Sequence, residues 1–371
     1  MEHRQDSTTN TPSRTLTVLG IETSCDETAA AVVRGSVPGP GEILSNVVFS
    51  QIDEHKPFGG VVPEIAARAH VELLDHIIVR SLEGAGISLA NVDAIAATAG
   101  PGLIGAVMTG LLTGKALSLG AHKPLICVNH LEAHALTTRL VAGTEFPFLL
   151  LLVSGGHCQF AAVAGPGLYR VYGTTIDDAI GEAFDKAAKL LGLGYPGGPA
   201  IEALARQGNS KRVSLPRPML GRDNADFSFA GLKTAVHHAI RSHKRFGAAD
   251  IAASFQQSVI DIVLDRSRFA FRQFRFDHPD PAPRFVIAGG VAANMALRQA
   301  LAELCTEEGF AMSAPPLSLC TDNAAMVAWA GIERAAAGAF DDLSFAPRAR
   351  WPLQELVDVQ RSAHSGVPPA Q

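Results

Sequence analysis

Disulfide chemistry has little to work with in this sequence: its five cysteines (Cys25, Cys127, Cys158, Cys305 and Cys320) are odd in number, scattered and never in a CxxC pair. That argues against a disulfide framework or a thiolate zinc site and points to a reducing compartment. No GxxxxGK[ST] run occurs, which speaks against a P-loop enzyme. Net charge is small, at -5, so no global field draws in nucleic acid and any RNA contact must come from local basic segments. Long apolar runs are lacking too: Gly, Pro, His or a charge interrupts each one short of a membrane span, and the start MEHRQDSTTNTPSRT has no apolar signal core. A soluble, cytoplasmic protein with no membrane partner is expected.

What the chain does have is length and apolar content for two cores. Its 371 residues are 47% hydrophobic, which suits two domains with a cleft between them. Strand-like runs at TLTVLGI, TAAAVV and ILSNVVFS precede a helical stretch, then VDAIAATA, a helix, PLICVN and a further helix. The second half, from FPFLLLLV through CQFAAVA, LYRVYG and RFVIAGG, repeats that order with an insertion at about 193–247. Two related α/β lobes follow, with the cleft between them as the ligand site. Residues 1–14 and 356–371 are polar or proline-rich and are expected to be flexible tails.

Three glycine-bearing turns each follow a strand: GIETSCDET, VSGGHCQ and IAGGVAAN. Such turns let backbone N–H groups approach an anion, and the first two occupy equivalent places in the repeat, which favours phosphate or nucleotide binding over three unrelated tight turns. His130 and His134 in NHLEAHAL are four apart on a predicted helix, so both imidazoles project from one face at metal-ligand spacing. Glu132 lies between them, giving HxExH where a zincin requires HExxH. Asp322 in LCTDNAAM is the candidate third ligand, although capping of the last helix would by itself account for it. A two-His-one-carboxylate set suits Fe(II), Zn(II) or Mn(II).

Asp26, Glu27 and Asp185 are carboxylates placed near these turns, with Gly197 and Gly198 in GYPGGP. An acid beside an anion site is unfavourable unless it holds a metal, a hydroxyl or an amine, although Asp185 could instead pair with Lys186 or Lys189. Asn294 can read an adenine or ribose edge, or cap its helix. Basic segments are local: RSHKRF at 241–246, Arg266 to Arg275 with interleaved Phe269, Phe271 and Phe274, and PRARWP at 347–352. The phenylalanine spacing reads as core, which leaves PRARWP as the better RNA-contact candidate.

Over residues 16–355 the ordered motifs GIETSCDET, FGGVVPEIAAR, TAGPGLIGA, HLEAH, LLVSGGH, DDAIGEAFDKAAKLLGLGYPGGP, DFSFAGLKT, AGGVAAN, CTDNAAM and RWPLQEL resemble the TsaD family, bacterial type, once described as O-sialoglycoprotein endopeptidases. The resemblance implies an actin-like (ASKHA) fold of two duplicated RNase H-like lobes around a central cleft. On that fold, residues 15–129 with 320–355 would form the first lobe and 130–319 the second. It implies transfer of threonylcarbamoyl from threonylcarbamoyl-AMP to N6 of adenosine 37 in tRNA, with Fe(II), or else Zn(II), on His130, His134 and Asp322. The adenylate would be bound by Leu152, Val153, Ser154, Gly155, Gly156, Asp185, Gly198 and Asn294, with ATP or ADP able to enter the same cleft. Asp26 and Glu27 match acidic residues needed for turnover. Implied partners are tRNA, a TsaB-like paralogue docked on the first lobe's helices, a TsaE-like ATPase and a TsaC-like enzyme that supplies the adenylate. Phe58 and Cys158 stand where many relatives carry Tyr and Thr. The competing readings are a metallo-endopeptidase, an ATP-hydrolysing switch or sugar kinase, and a non-catalytic scaffold.

Overall fold

In a computed structural model, which describes residues 14–241, 246–280 and 282–356, the strand runs that open the two halves of the repeat, TLTVLGI and FPFLLLLV, lie at the centres of two separate sheets. Strand β1 (Leu16–Glu22) is flanked by β2 (Glu27–Gly35) and β3 (Glu42–Ser50) on one side and by β4 (Ala94–Gly100) and β5 (Leu125–Asn129) on the other. The order is β3-β2-β1-β4-β5, with β1, β2 and β3 antiparallel and β1, β4 and β5 parallel. Strands β6 (Phe148–Val153), β7 (Cys158–Gly165), β8 (Leu168–Thr174), β9 (Arg284–Ala288) and β10 (Ala311–Ser313) repeat this in the order β10-β9-β6-β7-β8. Their senses match strand for strand. This is the duplicated RNase H-like architecture of the actin-like fold.

Helices explain why the central strands carry no polar alternation. In the first lobe, α2 (Pro63–Gly84) packs on β2 and β3, α3 (Ile104–Ala121) on β4, and α10 (Ala324–Ala336) on β1, β2 and β4. A parallel strand covered on both faces is selected for continuous apolar sequence. The contact of α10 with β1 is unusually close because it is built from Gly and Ala: a Cβ on Gly20 would lie 2.3 Å from the Ala324 carbonyl oxygen. In the second lobe, α5 (Ile180–Leu191), α6 (Gly197–Ala205), α7 (Ala230–Arg241) and α8 (Ala248–Asp277) form a layer around Phe184, Phe227, Phe255 and Phe271. Helix α9 (Met295–Glu308) joins β9 to β10.

Helix α3 corrects one expectation. Its 18 residues are long and apolar enough, by length and composition, to cross a membrane. Here Ala106, Val107, Gly110, Leu111 and Gly114 turn inward, and the helix packs on α2 and β4. Its aliphatic residues raise the mean hydropathy, while Gly110 and Gly114 allow close packing on Thr23 and Ala97.

Helix α4 (His130–Ala142) is buried from His130 through Leu140 and belongs to two cores at once. Leu131 and Ala135 pack with Leu150 and Leu152 of β6, whereas Ala133, Leu136 and Leu140 pack with α10. Asn129 starts the helix by accepting hydrogen bonds from the N–H groups of Leu131 (2.9 Å) and Glu132 (3.3 Å). The Glu132 carboxylate is fully buried and accepts from Arg334 Nη1 at 2.6 Å, Gly167 N at 2.8 Å and Tyr169 Oη at 3.2 Å. One carboxylate thus ties α4 to α10 and to the β7–β8 turn. Replacing Glu132 with Ala strands the Arg334 guanidinium in the interior, with an expected loss of about 3–5 kcal/mol in urea unfolding; a loss below about 1 kcal/mol would contradict this role.

Candidate metal centre and substrate cleft

Because His130 and His134 are one helical turn apart on α4, their rings meet edge to face with centroids 4.7 Å apart. Asp322 comes to them on the loop before α10. His134 Nε2 is 3.1 Å and His130 Nε2 3.5 Å from the same Asp322 oxygen, and the three ligand atoms lie within 4.8 Å of one another. Nitrogen and oxygen donors about 2.1 Å from a shared ion fall at such separations. The helix cap is Asn323, whose side chain accepts from Met326 N at 3.1 Å, so capping does not account for Asp322. The donor set and its convergence fit a divalent Fe, Zn or Mn ion.

Behind His130 stands Glu22, fully buried at the end of β1. Its Oε2 lies 2.9 Å from His130 Nδ1 and accepts from Thr98 Oγ1 at 2.7 Å; its Oε1 accepts from Ser24 N at 2.5 Å. A carboxylate at Nδ1 fixes the ring and leaves Nε2 for a metal. Burial disfavours charge on both partners, yet the pair overrides it. Against desolvation, Asp322 and Glu22 raise the His130 pKa well above its ordinary value, while His130 holds Glu22 below the usual carboxylate value. Asp322 is likewise driven down, its burial outweighed by His130 and His134. Half-buried His157 is neutral beside them, its pKa pushed to about 4 by burial and by the two neighbouring imidazoles.

The glycine turns line up because β6 and β9 are parallel neighbours. The Ser154–Gly155–Gly156 turn ends β6 and Gly289–Gly290 ends β9, and a Cβ on Gly289, whose φ is 95°, would fall 2.5 Å from the Val153 carbonyl oxygen. Cβ atoms built on Gly155, Gly156, Gly198 or Gly290 would meet nothing within 4 Å, so the surface there is open. The carbonyls of Ser154 and Gly155 accept from the N–H groups of Gly181 and Glu182 at the start of α5, anchoring the turn. Leu152 and Val153 point into the cores, leaving only their backbone for a ligand. Cys158 also faces the core.

Asp185 accepts from Gly197 N at 2.7 Å and pins the start of α6, while Lys186 pairs with Asp178. Burial pushes the Asp185 carboxyl above its ordinary pKa, against the Gly197 hydrogen bond. Asn294 is a cap: Oδ1 accepts from Leu297 N at 2.9 Å and Nδ2 donates to Gln256 at 3.1 Å. Asp26 closes the β1–β2 turn and Glu27 opens β2, where it feels the Asp322 charge, and Tyr195 reaches over from the second lobe to donate to Asp26 at 3.3 Å. Burial, then the charges of Asp322 and Asp26, raises the Glu27 pKa well above normal.

The description that matches residues 42–329 is TsaD, tRNA N6-adenosine threonylcarbamoyltransferase. A Brucella anthropi protein named tRNA N6-adenosine threonylcarbamoyltransferase is 61% identical over 342 residues, covering 91% of this chain and 95% of its own. A Brucella canis protein of the same name matches to the same extent. The chain belongs to the TsaD family. Among solved structures, HypF from T. kodakarensis has a TM-score of 0.55 at 12% identity, covering 85% of this chain and 47% of that one. Full-length HypF in its phosphate- and nucleotide-bound form gives 0.54 at 13% identity, with 85% and 46% covered. This TsaD-family chain therefore spans under half of HypF, and that likeness concerns fold alone.

Some site residues escaped the sequence reading. Glu22 was legible as a lone acid ending an apolar strand, His157 lay inside the quoted VSGGHCQ, and Tyr195 inside GYPGGP. Other candidates move away from the cleft chemistry. Trp351 of PRARWP is 5% exposed and packs on Phe345, so it is unavailable for base stacking, whereas Arg348 and Arg350 remain exposed. Phe271 and Phe274 are core, as their spacing suggested, and Arg266 is buried against the carbonyls of Arg222 and Asn224. Residues 242–245 of RSHKRF, 1–13 of the first tail and 357–371 of the second lie outside the described residues. A separate hollow of about 510 Å³, lined by Val37, Arg139, Phe146 and Glu333 among others, contains none of the site residues.

Because Glu22 orients His130, Glu22→Gln should weaken Fe(II) or Zn(II) binding about 10–100-fold in a chelator competition. Unchanged affinity in a folded variant would remove Glu22 from the metal site.

Proposed function

We propose that this chain transfers the threonylcarbamoyl group of threonylcarbamoyl-AMP to N6 of adenosine 37 in tRNAs reading codons that begin with A, and releases AMP. The observation that carries the reading is the convergence, in one cleft, of the His130–His134–Asp322 donor set, the open Ser154–Gly156 turn and the Asp26–Glu27 turn. Backbone N–H groups at Gly155 and Gly156 would receive the adenylate phosphate, while the Ser154 N–H closes the turn on the His157 carbonyl at 2.8 Å and Leu152 and Val153 contribute backbone alone. Asp185 has one oxygen left for a ribose hydroxyl, Gly198 gives room beside it, and Asn294, which caps α9 just after the Gly289–Gly290 turn, would lie along the bound adenylate. A divalent ion on the triad, Fe(II) first and Zn(II) second, would supply Lewis-acid polarisation of the bound acyl-phosphate oxygens.

N6 attacks the carbamoyl carbon, the bond from that carbon to the phosphate oxygen breaks, and N6 gives up one proton. Glu27 is assigned to orient the amine and take that proton. Burial and the neighbouring charges of Asp322 and Asp26 raise its pKa well above that of an exposed carboxylate, which makes its ionised form the stronger base. Asp26 is the second acid of the turn. Holding adenylate and adenosine together removes much of the entropic barrier. The peptidase alternative loses its base: Glu132 is engaged by Arg334, Gly167 and Tyr169 inside the protein.

The same cleft suits ATP or ADP, and the activity belongs in the cytoplasm with its tRNA. For the TsaB-like paralogue, support comes from the outer faces of α2 and α3, where Val71, Val79, Met108, Leu112 and Leu119 are exposed. A TsaE-like ATPase and a TsaC-like supplier of adenylate complete the system by family analogy.

Transfer of labelled threonylcarbamoyl to an ANN-decoding tRNA, with partner proteins present, should collapse by at least about 100-fold in His134→Ala. Glu27→Gln should lower turnover while leaving adenylate affinity nearly intact; full turnover would end the assignment of Glu27. No transfer by folded, metal-loaded wild type would overturn the function itself. Leu112→Glu should abolish co-elution with the paralogue, and retained co-elution would move the docking face elsewhere.

A further inference from the structure

Four buried polar side chains in the first lobe form a directional chain of hydrogen bonds outside the metal site. His55, Gln51, Thr28 and His70 are all fully buried. Val62 N–H, at the start of α2, donates to His55 Nδ1 at 3.3 Å, so the His55 proton sits on Nε2, which donates to Gln51 Oε1 at 3.2 Å. That fixes the Gln51 amide, whose Nε2 faces Thr28 Oγ1 and His70 Nδ1, each at 3.3 Å. Thr28 Oγ1 donates to His70 Nδ1 at 2.8 Å. His70 Nε2 then donates to the carbonyl oxygen of Cys25 at 2.9 Å, since a carbonyl can only accept. Burial lowers the His70 pKa, in keeping with a neutral ring.

The chain ends on the turn that presents Asp26 and Glu27. Two consecutive carbonyls of that turn are held: Cys25 by His70 and Asp26 by Gln51 N at 3.0 Å. From α3, Leu103 N holds the preceding carbonyl of Ser24 at 2.8 Å, and Thr23 Oγ1 donates to Ala106 O at 2.8 Å. The acid turn has little conformational choice, and its fixed pose depends on a neutral, Nε2-protonated His70. A buried network with every member satisfied is a way of making one conformation unique.

We propose that His70, with its tautomer set by Thr28 and Gln51, is a positioning residue for transfer: it fixes the Asp26–Glu27 turn against the acceptor amine. The proposal rests on the reading of that turn given above. It predicts a defect in turnover rather than in adenylate binding, because the adenylate is held in the second lobe. Positioning errors near 1 Å carry large rate costs.

The test is a steady-state comparison in the metal-loaded protein with its partners. Thr28→Val, which keeps shape and removes the hydroxyl, should lower kcat roughly ten-fold with KM for adenylate within about two-fold, and Thr28→Ser should restore it. His70→Leu should do at least as much. In the Glu27→Gln background, Thr28→Val should cost little more, since both changes act on one step. Additive losses in the double variant, a change in KM alone, or undiminished kcat in Thr28→Val would overturn the proposal. If His70→Leu does not fold, the Thr28 pair decides. Full turnover by Glu27→Gln would instead strike at the role of Glu27; the kcat loss in Thr28→Val and its rescue by Ser then judge whether His70 positions the turn for Asp26.

Discussion

A carboxylate with no access to water, Glu22, is the constraint around which the site is arranged. An unpaired buried charge costs several kcal/mol, so Glu22 must be met by donors, and it is met by His130, Thr98 and Ser24. Those partners come from α4, from β4 and from the turn after β1. Satisfying one anion therefore brings the first metal ligand, the parallel neighbour of β1 and the start of the acid turn into register. Asp322, brought in by α10, adds a second anion next to the two imidazoles. A metal ion would bind side chains already held in place by these contacts.

The duplicated fold supplies the rest of the site through its switch points. In each lobe the central strand ends in a turn at the cleft, the acid turn after β1 and the Ser-Gly-Gly turn after β6. The parallel partner of β6 ends in Gly289–Gly290 beside it, with room for a ligand against both turns. Helix α4 joins the two halves while carrying the histidines at its first turn, so the metal donors sit where the cores meet. Glu132, between the histidines in sequence, faces the other way and serves the fold, which separates this site from a zincin although both place two histidines four apart.

Much of this was legible in the sequence because periodicity and spacing are local. The repeat of strand runs foretold two sheets, and the histidine spacing foretold a shared face. Tertiary choices were not legible. Whether Asp322 or Asn323 caps α10 depends on where the loop enters, and whether Asn294 reads a ligand or caps α9 depends on Gln256, 38 residues away. Glu22 and His70 read as one acid at a strand end and one histidine in a helix; their roles arise from partners brought together only by the sheet. Trp351 looked free in PRARWP, but its indole packs into a core that draws on both sheets.

The most direct test of the metal-centred account is to titrate metal-stripped protein with Fe(II) or Zn(II), following bound ion and labelled transfer to tRNA in the same samples. Transfer that rises in proportion to ion bound, saturates near one ion per chain and is lost in Asp322→Asn is the expected result. Full transfer by protein shown to contain no ion would contradict it and leave the His130–His134–Asp322 cluster as structure alone.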